Sequence, residues 1–263
     1  MRVRDMNHEL RGHVALISGG LGDIGRAVVE EFARRGADVA LGDVAPPAAA
    51  DAALAAIKPS GVSAAYTQVD VSDAAAVQGW IADVERTLGV PTLVVANAAQ
   101  VTQADFRSLT AEQWARELRV NLDGAFHVAH AAGLRMLARG ARGRIVFLGS
   151  WAGDRPHRAI PAYCVAKAGL RMLCRCMALE FAPHGILVNE VAPGIVDAGL
   201  SGRIMREDPA LREKLLGLAP AGSLVTAAEV ARAVALLCGP AASQMVGSTL
   251  LLDGGMSLLP PGD

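Results

Sequence analysis

Two rhythms alternate along the 263-residue chain. Short runs rich in Val, Ile and Leu are apolar at consecutive positions: HVALIS (13–18), DVALGD (38–43), VSAAYTQVD (62–70), TLVVAN (92–97), GRIVFLGS (143–150), ILVNEVAP (186–193) and STLLLD (248–253). Consecutive apolar positions predict strands covered on both faces. Longer amphipathic stretches lie between them, and their spacing predicts helices over 24–35, 46–58, 73–88, 111–139, 161–182 and 227–238. Strand, helix, strand, repeated, requires right-handed crossovers. The expected fold class is therefore α/β: a doubly wound, Rossmann-like parallel sheet of about seven strands with helices on both faces.

No change of composition divides the chain. APPAAADAALAA (45–56) looks simple, but alanine favours helix and the prolines suit a first turn. Only 197–225 breaks the rhythm, with an arginine-containing helical stretch before the last helix. Long insertions in compact domains tend to be functional. The expectation is an N-terminal extension (1–12) followed by a single catalytic domain (13–263), with 197–225 as a flap over the substrate.

Composition narrows the partners. With 52% hydrophobic residues the chain can bury a large core, and with a formal net charge of −1 it shows no basic stripe. Nucleic acid is not an expected partner. No run approaches the roughly 20 apolar residues of a membrane span, and the opening MRVRDMNHELRG has charges without a secretory apolar run after them. A cytoplasmic protein acting on small molecules is expected. The four cysteines, Cys164, Cys174, Cys176 and Cys238, form no C-x-x-C pair, so packed reduced thiols and no metal site are expected.

Candidate chemistry begins with SGGLGDIG (18–25), which closes the first strand and opens the first helix. At such a turn, glycines allow backbone N–H groups close to a pyrophosphate, and the helix N-terminus favours its charge. Asp43 ends the second predicted strand. A carboxylate there accepts both hydroxyls of an adenosine ribose and repels a 2′-phosphate. Residues 18–23 contain no Lys or Arg to neutralise such a phosphate. NAD (NADH) is the expected cofactor, in preference to NADP.

Tyr163 and Lys167 lie four apart in a predicted helix, on one face. A free phenol titrates near 10, and a neighbouring ammonium is expected to lower that value toward a usable acid/base. Ser150 ends the strand thirteen residues earlier, at the carboxyl edge where open α/β sheets bind ligands.

Together these segments resemble the short-chain dehydrogenase/reductase family of the single-domain type, along nearly the whole chain. SGGLGDIG is similar to the family's T-G-x-x-x-G-x-G loop and ANAA (96–99) to its N-N-A-G. RVNLDGAF (119–126) resembles the segment bearing an active-site asparagine, GSWAG with YCVAK the serine and Tyr-x-x-x-Lys segments, NEVAPG (189–194) the segment lining the nicotinamide, and STLLLDGG (248–255) the final strand. The resemblance implies a catalytic quartet. Tyr163 moves the proton, Ser150 orients the reacting oxygen, Lys167 tunes the tyrosine and holds the nicotinamide ribose, and Asn121 supports a proton-relaying water chain. It implies cofactor contacts from Gly19, Leu21, Asp23, Ile24 and Gly25, from Asp43 and Val44, Asp70 and Val71, Asn97 and Ala98, and from Pro193, Gly194 and Val196, besides Tyr163 and Lys167. A dimer or tetramer is implied too, through helix 161–182, with its small residues Ala166, Ala168 and Gly169.

Four positions depart from the family pattern: Ser18 for threonine, Asp23 for the loop's middle glycine, Ala99 for the last glycine of N-N-A-G, and Ala198 for a frequent threonine. Asp23 is expected to cap the first helix. Gln100 and Ile160, with Ser150 and Tyr163, are expected to line the substrate pocket. Asp154, Arg155, His157 and Arg158, with Arg203 and Arg206 of the flap, could meet a polar or anionic substrate or face solvent. The expected activity is interconversion of a secondary alcohol, such as a sugar or polyol, with its ketone. The alternatives are a 3-oxoacyl-carrier-protein reductase and a non-catalytic NAD-binding sensor or scaffold.

Overall fold

A computed structural model describes residues 8–259 of the chain. Seven parallel strands form one sheet in the order β3-β2-β1-β4-β5-β6-β7. They are β1 (Val14–Ser18), β2 (Asp38–Asp43), β3 (Ala64–Gln68), β4 (Pro91–Ala96), β5 (Gly143–Leu148), β6 (Ile186–Pro193) and β7 (Thr249–Leu252). The doubly wound α/β expectation holds. The order reverses between β1 and β4, and such a switch point opens a crevice at the strands' carboxyl ends.

Strand alternation divides the core. Along β1, Ala15 and Ile17 face one side with Val28 and Phe32 of α1 (Asp23–Arg34) and Val230 and Val234 of α9 (Ala227–Cys238). Val14 and Leu16 face the other, with Trp80 and Ile81 of α3 (Ala74–Thr87), Val128 of α5 (Gly124–Ala138) and Leu170 and Phe181 of α6 (Pro161–Phe181). Each fully buried side chain of this size contributes about 1.5–3 kcal/mol relative to exposure. This packing holds the strand ends still beneath the crevice.

Several elements differ in detail from expectation. The stretch read as one helix over 111–139 is α4 (Ala111–Leu118), a π-helical turn at Arg119–Asp123, and α5. Thr110 starts α4 with a capping box to Gln113, and the wider turn carries the buried Asn121. The stretch 46–58 is a 3-10 turn at Pro47–Ala50 followed by α2 (Asp51–Ile57), with Pro47 in the opening turn. The runs 62–70, 143–150 and 248–253 are longer than their strands. Within 197–225 lie α7 (Gly199–Glu207) and α8 (Pro209–Gly217). Residues 1–7 of the expected extension lie outside the described residues, whereas Leu10 is buried in the core and Glu9 pairs with Arg35.

Candidate active site

A cleft of about 820 Å³ opens at the carboxyl ends of β1, β2, β4, β5 and β6, within the size range of ligand sites. One wall is backbone. Gly19 has φ +64°, and a Cβ there would come 2.8 Å from Ala98 Cα. At Gly25 a Cβ would overlap the Gly19 carbonyl oxygen and lie 2.9 Å from Gly20 Cα. Ser18, buried under the turn, accepts hydrogen bonds through Oγ from the backbone N of Asn97 at 3.1 Å and of Ala98 at 3.2 Å. Asn97 Nδ2 donates back to the carbonyls of Ser18 at 3.0 Å and Gly19 at 2.9 Å. The hydroxyl that replaces threonine therefore locks β1 to β4.

Asp43 accepts a 3.1 Å hydrogen bond through Oδ2 from Leu21 N, and one of 3.3 Å through Oδ1 from Ala45 N. The carboxylate is thus oriented against the glycine loop. Asp23 does not cap α1 as expected: the cap position is Gly22, without a side-chain bond. Asp23 lies one residue inside the helix, in its first turn, and its carboxylate accepts a 2.7 Å hydrogen bond from Gly199 N, the first residue of α7.

The opposite wall is built by β5 and α6. Ser150 follows β5, and its Oγ accepts from Ala152 N at 3.1 Å. Pro161 opens α6, a proline position that gives up no internal hydrogen bond. Within that first turn stands Tyr163, and one turn further the buried Lys167, whose Nζ donates to Leu148 O at 2.6 Å and sits 5.4 Å from the Tyr163 ring centroid. Asn121, also buried, accepts from Gln100 N at 2.8 Å and donates to Gln100 O at 2.6 Å, which fixes the loop after β4. Four residues earlier, Glu117 is fully buried and accepts from Thr102 N at 2.9 Å.

The electrostatics correct one expectation. Burial pushes the Tyr163 phenol up to about 12; the Ser150 hydroxyl pulls it back, and Cys164 and Glu117 add to the rise. Burial likewise pushes Lys167 down to about 8, with Glu190 acting the other way. The phenol is raised rather than lowered as expected: Lys167 is not among the causes of its shift, and burial sets the direction. Tyr163 keeps part of its surface open to the cleft.

Most candidate residues meet in this cleft. Gly19, Asp23, Ile24, Gly25, Asp43, Val44, Asp70, Val71, Asn97 and Ala98 line one side; Gln100, Ser150, Ile160, Tyr163, Lys167, Pro193, Gly194 and Val196 line the other. Leu21 and Asn121 are not on its surface: the first meets Asp43 through its backbone N, and the second lies behind Gln100. His157 and Arg203 reach the cleft, whereas Arg155 donates to the carbonyls of Ser257 and Leu259 and Asp154 pairs with Arg171. The sequence reading missed Gln103, Trp151, Ser201 and Ile204, which also line it. Their signal was position alone: each falls within three residues of a predicted strand end or of a candidate it did name. Among the described residues no three His, Cys, Asp or Glu side chains gather as a metal site would need.

The enoyl-(acyl carrier protein) reductase family model matches residues 20–257. Galactitol 2-dehydrogenase (L-tagatose-forming) of Cereibacter sphaeroides is 35% identical, over 95% of this chain and 96% of its own. A 3-oxoacyl-(acyl-carrier-protein) reductase of Pseudomonas aeruginosa is 34% identical, over 94% and 98%. Among solved structures, an NAD-bound xylitol dehydrogenase superposes with a TM-score of 0.89 at 30% identity, covering 94% of this chain and all of its own (100%). Two further solved neighbours hold NADP.

Proposed function

The chain belongs to the short-chain dehydrogenase/reductase family of oxidoreductases, and on that premise we propose that it uses NAD(H) to interconvert a secondary alcohol, of the sugar or polyol kind, and its ketone. The observation that carries this reading is convergence: Tyr163, Ser150 and Lys167 share one cleft with Asp43. The dinucleotide fits the residues present. Gly19 and Gly25 leave a cradle that a Cβ would fill, and Asp43 is held facing the loop at the end of β2. Asp43 would hold the adenosine ribose, Asp70 and Val71 the adenine, Asn97 and Ala98 the ribose beside it, and Lys167, Pro193, Gly194 and Val196 the nicotinamide half. When bound, the oxidised cofactor supplies a hydride acceptor and a positive ring charge.

The protein's own part is proton chemistry. Tyr163 Oη takes the hydroxyl proton of the alcohol, while Ser150 Oγ orients the same oxygen. A phenol at about 12 is a weak base, so nearby positive charge must bring it down. Lys167 remains an ammonium below about 8, beside that ring. Asn121 fixes the Gln100 loop and supports proton exchange with solvent. Gln100 and Ile160 face the substrate.

Around this centre we read one catalytic domain with 197–225 as its flap. Met172 (56% exposed) and Leu179 (81%) leave apolar surface on α6, which supports a homo-oligomer, a dimer or tetramer. No helix among the described residues is long and apolar enough to cross a membrane, and a cytoplasmic setting is in keeping with that.

The 3-oxoacyl-carrier-protein reductase alternative draws support from the Pseudomonas aeruginosa relative. Asp43 favours NAD and counts against it, as that activity commonly goes with NADP in this family. A panel of xylitol, galactitol, cyclohexanol and a 3-oxoacyl thioester, assayed with both cofactors, decides between them. Tyr163→Phe should abolish turnover and leave NADH binding in place. Turnover that survives in this variant defeats the reading.

A further inference from the structure

Tyr163 and Lys167 are the first two members of a longer series. Arg171 follows one turn after Lys167 on the same face of α6. Both cations reach the end of β5: Lys167 Nζ donates to Leu148 O at 2.6 Å, and Arg171 Nη2 to Ser150 O at 3.1 Å. The helix that carries the phenol therefore grips alternate carbonyls of the segment that carries the serine.

Arg171 is itself fixed from the far side. Its Nε donates to Glu190 Oε2 at 2.7 Å and its Nη2 to Glu190 Oε1 at 3.0 Å, a bidentate pair in which Glu190 is wholly buried. Thr249 Oγ1 donates to the same carboxylate at 2.7 Å. A Cβ on Gly149 would collide with the Glu190 carboxylate, so the backbone just before Ser150 lies against it. Nη1 of Arg171 pairs with Asp154, beyond the Trp151–Gly153 turn. Arg171 thus spans both ends of the turn that begins at the serine.

We propose that Arg171 and Glu190 form a positioning pair for the alcohol–ketone reaction, holding Ser150 so that its hydroxyl stands beside Tyr163. The pair touches neither cofactor nor substrate. Neither residue lines the cleft. Stability alone does not call for it, because burying two charges costs several kcal/mol per ion, and well-packed apolar residues of similar volume stabilise a fold as well or better. What an apolar pair cannot supply is a donor to the Ser150 carbonyl at a fixed place, set by three strands and a helix at once.

The inference rests on the dehydrogenase reading above, and the test separates the two. Arg171→Met, Glu190→Gln and the paired Arg171→Met/Glu190→Leu variant are compared with wild type. The readouts are thermal midpoint, NADH affinity by fluorescence, and kcat and KM with whichever alcohol of the xylitol, galactitol and cyclohexanol panel wild type oxidises. Arg171→Met strands the buried Glu190 charge and should lose midpoint; Glu190→Gln leaves Arg171 its pairing with Asp154 and should lose less; the paired variant should regain it. If the pair positions Ser150, the paired variant keeps NADH affinity and loses kcat by about ten- to a hundred-fold, the scale of a small misplacement. A paired variant that regains both midpoint and kcat overturns the proposal. Should wild type oxidise nothing in the panel, the sugar-or-polyol reading fails by itself. A crystal structure of the NADH-bound paired variant then decides the positioning claim: a displaced Ser150 supports it and an unmoved one overturns it.

Discussion

The two walls of the cleft are made of different material. On the side proposed for the dinucleotide, from Gly19 to Gly25 and at Asp43 and Asn97, the surface is chiefly main chain, held by the bonds of Ser18, Asn97 and Asp43. On the side proposed for the substrate, Gln103, Trp151, His157, Ser201 and Arg203 line the cleft from loops and α7, and Ser201 and Arg203 are exposed. A wall of main chain admits one ligand shape and tolerates no added atom. A wall of side chains can be rewritten without moving the sheet.

The sharpest way to break that contrast is one methyl group on the first wall. Gly25→Ala places its Cβ against the Gly19 carbonyl, with main chain rather than a yielding side chain behind it. The loop must shift, and overpacking of this kind costs about 1–3 kcal/mol or more. Affinity for NADH, read by fluorescence titration, should fall by about a hundred-fold. Binding left intact would mean that the loop is not the rigid surface described.

The same contrast explains what the sequence could disclose. β6 and α9 begin and end where their patterns do, since fully buried strands and capped helices write their limits in residue type. The glycine loop, Asp43 and the Tyr163–Lys167 pair were legible because each depends on local spacing. The π-helical turn at Arg119–Asp123 was not: its residues keep an ordinary helical apolar rhythm, and the widening shows only in where Asn121 points its bonds. Glu117 and Glu190 stand in apolar surroundings whose partners, Thr102 and Arg171, come from other elements. The phenol's shift was misjudged for a related reason. A Tyr–Lys pair can be read from spacing, but the burial that sets the phenol's shift belongs to the folded molecule.

A smaller effect is expected on the second wall. His157 packs against Trp151, with ring centroids 5.2 Å apart, and its Nε2 is buried without a hydrogen-bond partner. Burial, helped by Arg155, lowers its pKa and so favours the neutral imidazole, whose unpaired Nε2 would gain a partner if the ring turned toward a hydroxylated substrate in the cleft. Replacing it with leucine should raise KM for the polyol by about ten-fold, the worth of one neutral hydrogen bond, with kcat and NADH affinity little changed. An equal fall in NADH affinity would erase the division between the walls.

The smallest effect concerns the point where the walls meet. Asp23 belongs to the glycine loop yet holds Gly199 N, the start of α7, at 2.7 Å. Its carboxylate occupies the first turn of α1, where the helix field stabilises negative charge by about 0.3–1 kcal/mol. A pyrophosphate brought to that helix start competes for the same field and is repelled by the charge already there. Asp23→Asn keeps an oxygen to accept from Gly199 N and removes the charge. NADH affinity should therefore rise by about two- to five-fold at low salt, and the gain should shrink as salt screens it. Asp23→Ala also removes the tie to α7 without adding a glycine's backbone freedom, so its difference from Asp23→Asn reports chiefly on that tie. If Asp23→Asn binds NADH no more tightly than wild type, the charge is turned away from the phosphates and serves to join the loop to α7.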